Sequence, residues 1–454
     1  MRQDPAGRVL TREIYQLAWP AALSLLLNNV YRMNDLYWVK GLGEKAQAAV
    51  SVAGMVTILA FALYEGLAIG VLSLSARAWG AGLPARARSV FRVALWLSLL
   101  AAGTVAFFGF GEMEALLGWV VPASAGAAAP LPERALLRAY LEPVFLGGFF
   151  LCLAPVLDHA FIAAKDTRTP LLLQTLAVLA NTALNPILIF GLGPVPELGI
   201  AGAGWATVLS RVLSTAVGLV LLYRRFPSRA YRDSRSRWSL CFGIVHVGTP
   251  AALSIALYSI VYLVMFGSAF ATFGSLGRAA MGNGFAVEGL AFCLIWGLAT
   301  ASGSLAGRSL GAGRPEQAEA VILRSLRIVL LMTLPLTLLF LCLPEPLAAF
   351  FCTNSAVERE VVIYLKILAL SQFAVGLQGV FDLSMMSAGY SLPVSFWSVV
   401  WNLSRIPLAI WLAAPEKLDG GLPGIWWAIN LSTYGKALTG WWLFRRGRWK
   451  RIRV

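Results

Sequence analysis

Twelve apolar runs, each about 20 residues or longer, divide the chain: about 14–38, 46–74, 91–111, 136–162, 170–190, 200–223, 242–270, 282–305, 320–343, 360–387, 392–413 and 424–444. A bilayer core of ~30 Å is crossed by roughly 20 apolar residues at a helical rise of ~1.5 Å, so each run is long enough to span. The connections are short, which leaves no room for a soluble domain. Composition agrees: 58% of residues are hydrophobic, 13% are charged and the mean hydropathy is +0.73, whereas soluble domains carry about a quarter charged residues. The polar start MRQDPAGRVLTRE precedes a run too long for a signal peptide, so that run is expected to remain as the first span. Cys152, Cys241, Cys293, Cys342 and Cys352 have no metal-ligand or framework spacing and read as structural thiols.

A net charge of +15 could suggest nucleic acid, but its distribution points elsewhere. With both termini inside, the inner segments hold 25 Arg and Lys residues and the outer ones 7. This positive-inside bias places both termini in the cytoplasm and accounts for the basic balance without a nucleic-acid surface.

The chain also repeats. PAALS occurs at 20–24 and again at 250–254. GLAIGVLSLSARAWGAGLPARARSV (66–90) lies over GLATASGSLAGRSLGAGRPEQAEAV (297–321) at a shift of 231, and GWATVLS (204–210) over WWAINLS (426–432) at a shift of 222. These shifts predict two six-span lobes, 1–222 and 241–454, joined by a basic cytoplasmic linker over 223–240 containing YRRFPSRAYRDSRSRW. Six is even, so the lobes share one orientation and form a parallel repeat related by a pseudo-two-fold along the membrane normal. Such repeats put a substrate cavity between the bundles near the midplane, the organisation of a secondary transporter. No GxxxxGK[ST] or HExxH occurs, and the only histidines are His159 and His246. Energy is therefore expected from an ion gradient rather than from ATP hydrolysis in this chain.

At WPAALSLLLNNVYRMNDLYWVKGLG (19–43), ARAWGAG (76–82), AAKDTRTP (163–170), NTALNPILIFGLG (181–193), GIAGAGWATVLS (199–210) and GRSLGAG (307–313) the chain resembles the MATE (multidrug and toxic compound extrusion) family. That family lies within the superfamily that also holds polysaccharide and lipid-linked flippases. The resemblance implies twelve spans in two bundles around a V-shaped cavity, with export of organic cations or similar amphiphiles against H+ or Na+. It also implies a coupling aspartate at Asp35, working with Asn181 and with a position, usually acidic, that is Asn185 here. A spacing of four puts Asn181 and Asn185 on one helix face. Two close carboxylates would share a proton; one carboxylate with two amides can ligate a monovalent cation or take a proton, but the dyad is lost. Thr207 is a further candidate for this polar cluster.

A carboxylate inside a span costs several kcal/mol and marks function by default. The structural alternative makes Asp35 an interfacial residue paired with Arg32 or Lys40, and an Arg32 pair would hold it charged. Glu288 is the foremost acid of the second lobe; it faces the cavity or, alternatively, packs against Asn283. His159 and Asp382 align at a shift of 223 and could relay a proton, or be packing groups. Tyr31, Tyr37, Trp38, Tyr258, Tyr262, Trp296, Trp397 and Trp401 suit a cavity for amphiphilic cations. By resemblance, Tyr258 stands where some relatives carry a cation-binding glutamate. Arg211, Arg405 and Lys436 lie deep in spans and could bind an anionic substrate or pair with an acid.

The expectation is an all-α polytopic protein of the plasma (inner) membrane, monomeric and not an enzyme. It would export amphiphilic or cationic compounds from a cavity that includes Tyr31, Tyr37, Tyr258 and Glu288, coupled through Asp35, Asn181, Asn185 and Thr207 to H+ or Na+, with no cofactor. A lipid-linked-sugar or headgroup flippase is the alternative, expected to have a more cationic cavity. A membrane enzyme or receptor of the same fold would need a paired active-site constellation, which the sequence does not show.

Overall fold

The computed structural model describes residues 5–113, 131–225, 237–270, 273–352, 354–414 and 420–452; most of the expected linker, 226–236, lies outside them. All the regular structure of the described residues is helical: α1 Pro5–Val39, α2 Glu44–Gly80, α3 Pro84–Gly111, α4 Leu131–Leu146, α5 Gly148–Ala163, α6 Arg168–Phe190, α7 Ile200–Arg225, α8 Arg237–Gly267, α9 Gly274–Gly311, α10 Pro315–Cys342, α11 Pro344–Phe351, α12 Ser355–Ala369, α13 Gln372–Ser387, α14 Ser391–Leu412 and α15 Gly421–Arg446, with short 3-10 turns at Lys40–Leu42 and Arg448–Arg451. Backbone groups in lipid have no water to bond, so a spanning chain satisfies them within helices.

Seven of these helices are long and apolar enough to cross a membrane, and the bent pairs α4–α5 and α12–α13 raise the number to nine. Helices α1, α14 and α15, 35, 22 and 26 residues long, also have the length to cross and complete twelve spans. The chain is an all-α polytopic membrane protein. Helix α3 shows the solvent it meets: Trp96, Leu100 and Phe107 share one face at 73%, 66% and 74% exposure, apolar side chains turned outward as lipid permits.

The repeat extends to element boundaries. α3 and α10 match end for end at the shift of 231, and α6 and α14 start in register at 223. The fourth span breaks at Gly147 by 55° and the tenth at 370–371 by 58°, again 223 residues apart. Gly82 and Gly313, 231 residues apart, both have φ +71°, the left-handed conformation glycine adopts without penalty. Each is followed two residues later by the proline that opens the next helix.

The chain groups into two compact units, one of Ser24–Ser75 with Leu83–Ala252, the other of Met1–Leu23, Ala76–Gly82 and Leu253–Val454. The first has a core of Val39, Ala53, Leu137, Leu141, Phe145 and Ile189. The second is centred on Met265, Phe270, Met281, Tyr364, Leu365 and Trp426. Within the second unit the ends of α2 and α9 meet at two glycines: a Cβ on Gly80 would overlap the carbonyl of Arg308, and one on Gly311 that of Arg77.

Candidate functional site

Three helix faces of the first unit carry polar residues at helical spacing, and all three converge on Asp35. On α1, Asn28, Tyr31, Asn34, Asp35 and Trp38 recur at intervals of three and four; on α6 they are Gln174, Asn181 and Asn185; on α7, Thr207, Ser210 and Arg211. Asp35 is buried at 5% exposure. Its Oδ1 accepts from Asn181 Nδ2 at 2.8 Å and Asn185 Nδ2 at 2.9 Å, and its Oδ2 accepts from Thr207 Oγ1 at 3.0 Å. The four residues assigned to the cluster from sequence are therefore in direct contact.

The pairing with Arg32 or Lys40 does not occur among the described residues. Both cations are exposed, and the carboxylate is held by neutral donors alone. A second layer keeps those donors in place. Asn34 Nδ2 donates to Asn181 Oδ1 at 2.6 Å, as does Asn185 Nδ2 at 3.1 Å, and Trp38 Nε1 donates to Asn34 Oδ1 at 3.2 Å. Tyr31 is buried, and its hydroxyl donates to the Thr207 carbonyl at 2.9 Å beside Ser210 Oγ. Arg211 stacks over the Tyr31 ring, 4.5 Å from its centroid, and donates to Gln174 Oε1 at 2.9 Å and Asn28 Oδ1 at 3.0 Å. Asn28, Asn34, Gln174 and Ser210 were not singled out from sequence, although polar residues at helical intervals from Asp35 and Asn181 were a readable signal. Tyr37 is 69% exposed and packs edge-on against Trp38, away from the cluster.

His159 lies in the same unit. Its Nδ1 contacts the Pro155 carbonyl at 2.9 Å and its Nε2 is 3.5 Å from Glu65 Oε1. Asp382 lies in the second unit, where its Oδ2 accepts from Gln378 Nε2 at 3.1 Å. Each finds its partner within its own unit.

Also in the second unit, Glu288 does not bond Asn283, which instead donates to Cys352 Sγ at 3.4 Å. Its partners are Tyr364 OH at 2.8 Å and Gln372 Nε2 at 3.3 Å. Arg405, on α14, is 3% exposed and donates to Ser432 Oγ and Tyr262 OH, both at 2.7 Å, and to Thr433 Oγ1 at 3.3 Å. Tyr258 packs edge-on against Tyr262 with 4.9 Å between centroids. Its ring lies 5.5 Å from Arg405 Cζ and 5.6 Å from Lys436 Nζ.

The MatE family model matches residues 20–187 and 250–411, the greater part of the chain and both halves of the repeat. The chain belongs to the MATE family. A second model, that of the lipid II flippase MurJ, matches 135–276. The FAD transporter of Shewanella oneidensis is 27% identical over 97% of this chain and 95% of its own length. A probable multidrug resistance protein NorM of Thermotoga maritima is 24% identical, with 98% and 94% covered. A Pyrococcus furiosus transporter of the MOP superfamily, described as having a binding pocket of reversed polarity, superposes over the whole of both chains with a TM-score of 0.85 at 22% identity, a likeness of fold. This MATE protein is thus a multi-pass membrane transporter with a small-molecule substrate.

Proposed function

We propose that the protein is a secondary antiporter that exports small amphiphilic or cationic organic compounds by alternating access, driven by H+ or Na+ binding at Asp35. The observation that carries this reading is a single carboxylate, buried in a span and held by three neutral donors on two other helices. Carboxylates placed inside membranes are expensive and mark ion pathways. Neutral partners leave Asp35 free to gain a positive charge, which a fixed guanidinium partner would oppose. Once it binds an ion, the bonds that tie α1 to α6 and α7 lose the charge that strengthens them. That is the differential interaction an ion needs to shift a two-state equilibrium.

The lobes of this reading are 1–222 and 241–454, with the linker and both termini in the cytoplasm of a cell whose plasma (inner) membrane holds the protein. It acts as a monomer, without enzymatic activity or nucleic acid. Ethidium efflux from proteoliposomes under a pH gradient alone and a Na+ gradient alone tests it and names the ion. Efflux under neither gradient would remove the reading.

A flippase for a lipid-linked sugar or headgroup is the second reading, favoured by the MurJ match and by the buried Arg405 and Lys436. The exporter reading is preferred because the multidrug relative aligns over nearly the whole chain, whereas the flippase model covers about a third of it.

A further inference from the structure

One face of α15 changes character step by step toward the end of the span. Leu431, Leu438, Trp442 and Arg446 follow at intervals of seven, four and four, which keeps them within about a quarter turn of one another. The first three are 45%, 68% and 39% exposed, and the Arg446 guanidinium lies on the Trp442 indole, 3.5 Å from its ring centroid. Apolar side chains, then an indole, then a cation repeat the order of acyl chains, interface and headgroup in a bilayer leaflet. Beyond the helix the chain does not trail away. Gly447, at φ +67°, turns it back into the 3-10 segment Arg448–Arg451, and three contacts pin that segment to the second unit. Trp449 is fully buried, stacks on Phe444 and donates from Nε1 to the Phe444 carbonyl at 3.0 Å. Lys450 Nζ pairs with Glu319 Oε2 of α10 at 2.6 Å, and Arg77 Nη1 of α2 donates to the Ile452 carbonyl at 2.8 Å. Arg448 and Arg451 are thereby left exposed next to the equally exposed Arg445 and Arg446. Among the described residues none of these four arginines has an ion pair or a side-chain hydrogen bond.

We infer that the end of α15 and the turn after it bind an anionic phospholipid, its headgroup on Arg446 and Arg448 and its acyl chains along Trp442, Leu438 and Leu431. A guanidinium offers phosphate two parallel N–H donors, and the exposed apolar stripe gives the chains a surface. Because the turn is pinned, its charges are already in place when the lipid arrives, which spares the cost of ordering a loose tail. A soluble anion would meet the arginines but leave the stripe to other lipids, so a lipid is the occupant that uses the whole face. The stripe opens outward to the bilayer, so the lipid is a fixture of the transporter and not its cargo. The inference needs only a membrane-spanning chain and is independent of the export reading.

The test equilibrates the full-length protein, in detergent micelles, with equal amounts of phosphatidylglycerol and phosphatidylcholine of identical acyl chains, and counts the retained lipids by native mass spectrometry. Phosphatidylglycerol should be retained in roughly 10-fold excess, the scale of one or two cations acting on a net negative headgroup. Arg446→Gln and Arg448→Gln should each reduce that excess and the double variant should remove it, while Arg446→Lys keeps most of it. Arg224→Gln removes another exposed cation, at the end of α7, and should change nothing. The substituted side chains are all exposed, and unchanged melting temperatures in phosphatidylcholine alone separate a lost site from a folding defect. A large molar excess of glycerol 3-phosphate, which carries the phosphate without the chains, should fail to displace the lipid. Equal retention of the two lipids, an excess that survives the double variant, an equal loss in Arg224→Gln, or displacement by glycerol 3-phosphate would each overturn the inference.

Discussion

Asn185 donates to Asp35 Oδ1 at 2.9 Å while its own carbonyl oxygen, buried beside the cluster, has no partner among the described residues. Asn185→Asp would replace that donor with a second carboxylate. Close carboxylates are stable only when they share a proton or a cation. The melting temperature of the variant should therefore fall further below wild type from about pH 5.5 to about pH 8. Added Na+ should narrow the gap, and thermal scans of the two proteins across pH and salt check both expectations.

Among the described residues, Thr207 supplies the sole side-chain donor to Asp35 Oδ2. Thr207→Val keeps the shape and removes the bond, which to a charged acceptor is worth about 1.5–3 kcal/mol. Tyr31→Phe removes a neutral bond to the Thr207 carbonyl and should cost about 1 kcal/mol. Thermal unfolding at one fixed scan rate should rank Thr207→Val below Tyr31→Phe and both below wild type.

The meeting of α2 and α9 predicts a second ranking. Gly80→Ala and Gly311→Ala each push a methyl group into a backbone carbonyl, an overpacking worth about 1–3 kcal/mol or more. Gly82→Ala meets nothing within 4 Å but sits at φ +71°, a left-handed conformation that costs an L-residue about 1–2 kcal/mol. Gly80→Ala and Gly311→Ala should lose the most melting temperature and folded yield, with Gly82→Ala intermediate.

Asp166, from the DTRTP motif, accepts from Thr169 N at 3.0 Å and Thr169 Oγ1 at 2.6 Å at the start of α6, and forms an ion pair with Arg225. Asp166→Ala should cost about 1 kcal/mol through the lost cap. Arg225→Gln, whose side chain is largely exposed, should cost less than about 1 kcal/mol and show its effect only at low salt.

The spans and Asp35 were legible in the sequence for the same reason: in a chain with so few charges, a polar residue inside an apolar run stands out. That Asn181 and Asn185 join Asp35 was implied by the family resemblance, and their spacing of four agrees with it by placing both on one helix face. The broken spans were half legible. Gly147-Gly148 and Pro143 announce the break between α4 and α5, but nothing in Leu370-Ser371-Gln372 announces its counterpart. Helices also run past the apolar stretches, α1 starting at Pro5 and not near Ile14, because polar residues outside the bilayer core continue a helix that is already nucleated. Partner choice was the least legible. Asn283 lies five residues before Glu288, about 140° around the helix at 3.6 residues per turn, and the partners Glu288 does find, Tyr364 and Gln372, belong to other helices. Arg32 stays on the exposed side of α1 while Asp35, three residues on, turns inward.

The most direct measurement is ethidium efflux from proteoliposomes holding the Asp35→Asn variant, after an imposed pH or Na+ gradient. Asparagine keeps the size and the capacity to accept hydrogen bonds but cannot carry the charge. The account predicts that gradient-driven efflux is lost while ethidium binding and the folded yield remain. Efflux at the wild-type rate under the same gradient would contradict it.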